Sequence, residues 1–139
     1  MRLVILDTDA ASLLQKRRLP DALSRHVVGA AIAVSFVTVG ELHKWAERRS
    51  WGPRSRAELG EWLDEVTVID TDDEVSRIWG GLAARADTRG RPRPVNDTWV
   101  AACAIAKSVP LLTLNLRDFE DFETHEGLVL LWSGSDELA

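Results

Sequence analysis

Five side chains in this sequence could together act on a phosphodiester: Asp7, Glu41, Asp97, Asn115 and Asp118. Two carboxylates about 5 Å apart, at an effective dielectric near 20, repel by roughly 3 kcal/mol. Three or four drawn together therefore need protons or a bound cation. An all-oxygen set without Cys or His ligands selects the hard cations Mg²⁺ or Mn²⁺ over zinc. Such an ion can activate water and stabilise charge on a phosphodiester. Metal-assisted phosphodiester hydrolysis is therefore the chemistry these residues suit, if the fold gathers them. Each acid also has a structural explanation. Glu41 could complete a capping box with Thr38, and Asp97 could favour the positive end of a helix. Asp118 could cap a short helix and Asp7 could be a strand-end turn residue. The coincidence of four acids at equivalent places favours a shared site.

Those places are set by the elements around them. Five short apolar segments stand out, Leu3–Leu6, Ala31–Ser35, Val66–Ile69, Leu111–Leu114 and Leu128–Leu131. They are continuous rather than alternating, as expected for strands buried on both faces. Helical patterns lie between them. Thr38 to Glu41 and Ser55 to Glu58 have capping-box spacing. Asp72-Asp73-Glu74 opens a stretch to about Asp87 with Val75, Ile78, Trp79 and Leu82 on one face, and Asn96 could cap a helix from Asp97 to Lys107. Alternating strands and helices predict an α/β chain with a mainly parallel sheet covered on both sides. Ligands bind beyond the carboxyl ends of such strands. Asp7 follows the first segment, Glu41 lies in the first turn of the helix after the second, Asp97 opens the helix before the fourth, and Asn115 and Asp118 follow the fourth.

Bulk properties narrow the setting. With 139 residues and 45% hydrophobic content, the chain suits one domain over 1–139. Its longest apolar stretches, such as Val27 to Val37, are too short to span a bilayer. Asp7 interrupts the apolar run a signal peptide would continue, so a cytoplasmic protein without membrane association is expected. The single cysteine, Cys103, excludes an internal disulfide and a Cys-rich zinc site, and its alanine-rich surroundings suit a small buried hydrophobe. A formal charge of −5 argues against a nucleic-acid-coating protein. The charge is uneven: residues 1–50 carry eight Lys/Arg against five Asp/Glu, and residues 101–139 carry two against seven. Polyanion contact would have to use local basic patches, which otherwise read as solvated helix ends and loops.

Four segments together resemble the motifs of PIN domains. They are Leu6-Asp7-Thr8-Asp9, Ser35-Phe36-Val37-Thr38-Val39-Gly40-Glu41-Leu42, Asn96-Asp97-Thr98-Trp99-Val100-Ala101-Ala102, and Thr113-Leu114-Asn115-Leu116-Arg117-Asp118-Phe119. The last takes the form common among VapC-type toxins of toxin–antitoxin pairs, and the four cover nearly the whole chain in order. The resemblance implies a three-layer α/β/α domain with a central five-stranded sheet and Mg²⁺ or Mn²⁺ held by Asp7, Glu41 and Asp97, usually with a fourth acid. Many PIN domains carry Asp where this chain has Asn115. Asp118 is then expected as the fourth acid, with Asn115, Thr8 and Thr113 as supporting polar groups. Endoribonuclease action on structured RNA (tRNA or rRNA), silencing by a cognate antitoxin and a homodimer are implied in the same way.

Other residues read as follows. His26 and His125 lie away from the motifs, and His43 points about 200° around its helix from Glu41, so no histidine is expected in the chemistry. The basic run containing Arg89, Arg91 and Arg93 ends at Pro94, just before Asp97, and could contact phosphate. Trp79, Trp99 and Trp132 fall in apolar patterns, whereas Trp45, Trp51 and Trp62 flank a stretch where an apolar groove could receive an antitoxin segment. Two other families share parts of this pattern. A haloacid-dehalogenase-like phosphatase would use Asp7-Thr8-Asp9-Ala10-Ala11, but Ala11 stands where Thr or Val is wanted and no second acid pair follows the fourth strand. A phospho-receiver domain finds only weak support in Val66–Asp70. A catalytically inert PIN scaffold that binds RNA or a protein is the non-enzymatic alternative.

Overall fold

The computed structural model of this chain describes residues 2–135. Five strands, β1 (Leu3–Leu6), β2 (Ala31–Ser35), β3 (Thr67–Ile69), β4 (Leu111–Leu112) and β5 (Leu130–Leu131), pair in the order β3-β2-β1-β4-β5. All four pairings are parallel. Strand β1 is central, with Leu6 in register with Val34 on one side and Leu112 on the other. The chain winds outward from β1 in both directions, so the β1–β4 boundary is the topological switch point where a crevice opens at the carboxyl edge.

Alternation along β1 divides the core into two layers. Ile5 joins Ala33, Leu111 and Leu130 under helices α5 (Asp73–Thr88), α6 (Val95–Lys107) and α7 (Leu116–Glu126). Val4 and Leu6 join Val34, Leu112 and Leu131 under α1 (Thr8–Gln15), α2 (Asp21–Ser24), α3 (Phe36–Arg48) and α4 (Pro53–Glu65). The expected three layers and five parallel strands are therefore present. Strands β1 and β2 have their expected bounds, while β3, β4 and β5 are shorter than their apolar segments. Cys103 is fully buried, and burial pushes its thiol up to about 12, so it behaves as the expected small hydrophobe.

Three helix starts differ from the sequence expectation, each for a local reason. Helix α3 begins at Phe36 because Ser35, directly after β2, caps it by accepting from the Thr38 N–H at 3.2 Å. Glu41 therefore lies in the second turn, and no capping box with Thr38 forms. Helix α4 begins at Pro53, whose fixed φ and missing N–H suit a first turn, so Ser55 is inside it. Helix α6 begins at Val95 after Pro94, and Thr98 rather than Asn96 secures the turn through its hydroxyl on the Pro94 carbonyl at 2.8 Å. Helix α5 starts as expected, with Asp72 accepting from the Val75 N–H at 2.8 Å.

A cationic clamp ties α5 to α7. Arg89 donates to Asp121 at 2.6 Å and to Glu126 at 2.8 Å, and Arg85 joins Glu126 at 2.9 Å. Both acids are nearly buried, and the arginines hold their carboxyls below the ordinary range. Arg89, expected as a phosphate contact, is thereby committed to the fold. Phe122 of α7 is a fully buried core residue, whereas Val28 is 73% exposed. Phe122→Ala should cost about 3–5 kcal/mol of unfolding free energy. Val28→Ala should stay within about 0.5 kcal/mol. Urea unfolding, with unchanged m-values, measures both.

Candidate active site

The carboxyl edge of the sheet collects the acids through backbone register. Asp7 follows β1 beside Thr113, which follows β4; the Asp7 N–H donates to the Leu112 carbonyl at 3.1 Å. Across this boundary the Thr113 hydroxyl donates to Asp7 Oδ2 at 2.6 Å, while Asp7 Oδ1 accepts from the Ala10 N–H at 2.9 Å. Asp7 thus caps α1 as well as facing the crevice, and both its oxygens are fixed. Thr113 is itself oriented by the Asn115 N–H, which donates to its hydroxyl at 2.9 Å.

On the other flank, Thr8 donates to Glu41 Oε1 at 2.7 Å, and its hydroxyl lies 2.9 Å from that of Thr38. The Ser35 hydroxyl reaches Thr38 at 3.4 Å, so a buried chain of three hydroxyls runs from the end of β2 to Glu41. Asp97 is the third residue of α6, near that helix's positive end. Asn115 occupies the N-cap position of α7 without a capping bond from its side chain; its Nδ2 donates to Asp118 Oδ2 at 2.8 Å. The amide therefore supports Asp118, and Asp118 is the nearer of the two to an acidic role.

Electrostatics link these groups. Burial pushes Asp7 up to about 6, opposed by the Thr113 and Ala10 hydrogen bonds and reinforced by the charges of Asp9 and Asp97. Burial likewise pushes Asp97 up to about 6, with Asp118 and Glu41 adding to it and Arg93 opposing. Asp7, Glu41, Asp97 and Asp118 thus share one electrostatic neighbourhood, and Asp9 is a fifth member that its motif position did not single out. The Thr38 and Ser35 hydroxyls also escaped the sequence reading, because only the register of β1 against β2 brings them to Thr8.

No three Asp, Glu, His or Cys side chains among the described residues stand close enough to form a ready-made metal cage. The hydrogen bonds give the reason: Asp7 is turned to Thr113, Glu41 to Thr8 and Asp118 to Asn115. The donor set still fits a hard divalent cation, because it consists of oxygens, carries excess negative charge and holds two carboxyls whose ionisation is opposed by burial and by each other. The histidines lie elsewhere. His26 is fully buried with Nε2 3.0 Å from the Trp132 carbonyl, His43 is exposed, and His125 lies 3.8 Å from Asp121.

All six tryptophans pack on the core, Trp79, Trp99 and Trp132 on one layer and Trp45, Trp51 and Trp62 on the other. Trp79 and Trp99 stack at 4.9 Å between centroids and, with Trp132, pack on the core, Phe36 meeting Trp99 edge-on. Trp51 and Trp62 line an open groove of about 1050 Å³ between the basic end of α1 and α4. Lys16 and Arg49 stand on one side and Glu58 and Glu65 on the other. Trp45 is half-buried beneath Arg49, 5.2 Å from its ring. No helix among the described residues is long and apolar enough to cross a membrane.

The family model described as "PIN domain" matches residues 4–124. The chain is 32% identical over 117 residues to "Ribonuclease VapC2" of Haemophilus influenzae, spanning 84% of this chain and 89% of that protein. Its fold superposes on DNA-bound VapBC from Salmonella typhimurium with a TM-score of 0.81 at 23% identity, covering 96% and 99% of the two chains. It superposes on VapBC-5 of Mycobacterium tuberculosis, a member of the VapBC family of toxin–antitoxin systems, with a TM-score of 0.66 at 22% identity, covering 95% and 99%.

Asp7 and Asp97 bind protons more tightly folded than unfolded. Their contribution to stability is fullest below their ordinary value of 3.8 and is lost as pH rises through about 6. For Asp7 the displacement corresponds to about 3 kcal/mol. Asp97→Asn should therefore raise the Tm of metal-free protein above about pH 6, with the gain vanishing near pH 4. A Tm difference independent of pH in EDTA-treated samples would contradict this account of the site.

Proposed function

The chain belongs to the PIN-domain family, among the VapC ribonucleases, and from that premise we propose an endoribonuclease toxin that cuts structured RNA with Mg²⁺ or Mn²⁺ and is silenced by a cognate antitoxin. The carrying observation is the pair Asp7 and Asp97 at the carboxyl edge, both raised to about 6 chiefly by burial, Asp97 further by Asp118 and Glu41 and Asp7 by Asp9 and Asp97. A haloacid-dehalogenase-like phosphatase is disfavoured because Ala11 stands where its motif wants Thr or Val and no second acid pair follows β4.

Asp7 and Asp97 would hold the ion, with Glu41 and Asp118 completing its surroundings. When bound, Mg²⁺ or Mn²⁺ supplies charge neutralisation at the phosphodiester and acidifies water beside it. Thr113 fixes the aim of Asp7, as an outer hydrogen-bond partner fixes a ligand. Glu41 has one oxygen engaged by Thr8 and its other oxygen available to accept a proton from the attacking water. Water oxygen bonds to phosphorus as one P–O ester bond breaks, and the leaving oxygen takes a proton from solvent. The substrate is expected to be tRNA or rRNA.

The antitoxin has a fitting place in the groove of Trp51 and Trp62, where apolar floor and oppositely charged sides suit an amphipathic segment. A homodimer is also inferred; exposed Val95 and Leu114, beside the carboxyl edge, offer apolar area to a second copy.

Purified, antitoxin-free protein incubated with total tRNA and rRNA tests the reading. Discrete fragments should appear with Mg²⁺ or Mn²⁺ and not with EDTA, and Asp97→Asn should reduce their rate by at least about 100-fold. Equal cleavage by wild type and variant, or none by either, would move the chain to an inert PIN scaffold. Trp62→Ala should weaken antitoxin capture at least about tenfold while metal-dependent cleavage persists.

A further inference from the structure

A small cavity of about 250 Å³ lies between the loop joining α5 to α6 and the outer face of α7. Its cations are Arg91, Arg93 and Arg117. None of the three makes an ion pair among the described residues, in contrast to Arg85 and Arg89. Arg93 reaches only the Arg117 carbonyl, at 3.4 Å, and its Nε is buried without a partner. Of the acids at the cavity, Asp121 already receives Arg89 at 2.6 Å, which leaves Glu120 against three guanidinium groups. An excess of cation here runs against a chain whose formal charge is −5.

The cavity is also stiffly built. Prolines 92 and 94 flank Arg93 and fix the backbone φ on either side of it. The Arg91 N–H closes the end of α5 on the Ala86 carbonyl at 2.9 Å. Both ends of the cluster lead to the site: Arg93 precedes Asp97 by four residues and opposes its raised pKa, and Arg117 adjoins Asp118. A buried guanidinium donor without an acceptor costs free energy that an incoming oxyanion would recover. Guanidinium forks match phosphate oxygens in geometry and charge, and the cavity's size suits a phosphate group better than a peptide segment.

We infer that Arg91, Arg93 and Arg117 form a subsite for a backbone phosphate of the RNA strand, neighbouring the scissile one, and so position that strand over the acids. The inference rests on the ribonuclease reading. These arginines are positioning residues and take no part in the proton transfers.

The test uses Asp97→Asn protein, which binds without cutting, and a short fluorescein-labelled single-stranded oligoribonucleotide over a series of salt concentrations. Adding Arg91→Gln, Arg93→Gln or Arg117→Gln should each lower the slope of log K against log salt by about 0.7. In otherwise wild-type enzyme each should raise KM for total tRNA by about tenfold, the loss falling on KM more than on kcat. Arg93→Lys should restore the salt slope, and Arg54→Gln, which removes an exposed pair with Glu58 on α4, should change neither quantity. Arg91 is exposed, so its variant cannot act through folding. Unchanged slopes and KM values in an enzyme that cuts RNA would overturn the subsite and leave the ribonuclease reading intact. A fall in kcat alone, or weakened antitoxin binding without weakened RNA binding, would also overturn it. A wild-type protein that cuts no RNA would instead remove the reading beneath it.

Discussion

The pairing of β1 with β4 is the constraint on which the rest depends. It places Asp7 beside Thr113, and the bond between them fixes one acid of the site while closing the switch point of the sheet. Everything near the crevice is referred to that boundary. Helix α1 springs from Asp7, which caps it; α7 follows from Asn115, which orients Thr113; and α6 brings Asp97 in over the Ile5 layer of the core. A side chain that serves as helix cap and as acceptor across the sheet at once cannot adjust to one role without disturbing the other. That is the usual condition of a preorganised site.

The two sides of the molecule treat charge in opposite ways. At the crevice, like charges are gathered and partly buried, and Asp7 and Asp97 resist ionisation as a result. At the α5–α7 contact, acids of similar burial meet arginines and ionise readily. The contrast sets the acids balanced by arginine apart from those that are not. Asp121 and Glu126 have partners that balance them; Asp7, Glu41, Asp97 and Asp118 have hydroxyls, amides and one another. Stability is foregone at the crevice, as is common where a site is kept for function.

Much of this was legible in the sequence, and the reasons for the misses are specific. Strand β1 ends where its apolar run meets Asp7 and β2 ends on the polar Ser35, so their limits could be read directly. Helix starts were harder because Ser35, Pro53 and Pro94 compete with Thr38, Ser55 and Asn96 within three residues, and the strand end or the proline decides. The acids were visible because each follows an element boundary. The hydroxyl chain of Ser35, Thr38 and Thr8 was not, since it depends on the register of two strands 28 residues apart (Leu3 with Ala31). Arg89 was misread for a related reason: its acceptors lie 32 and 37 residues away on a helix whose packing the sequence does not disclose.

The hydrogen bond from Thr113 to Asp7 spans 106 residues of chain. During synthesis the first strand of the sheet leaves the ribosome 106 residues before the β4 neighbour it pairs with (Ile5 with Leu111). Domains fold as units, and non-local parallel pairings form only after the loop between them has closed. No shorter nascent fragment can assemble the crevice, whichever acids it already carries. The geometry at Asp7 therefore follows, and cannot precede, the docking of β4 on β1.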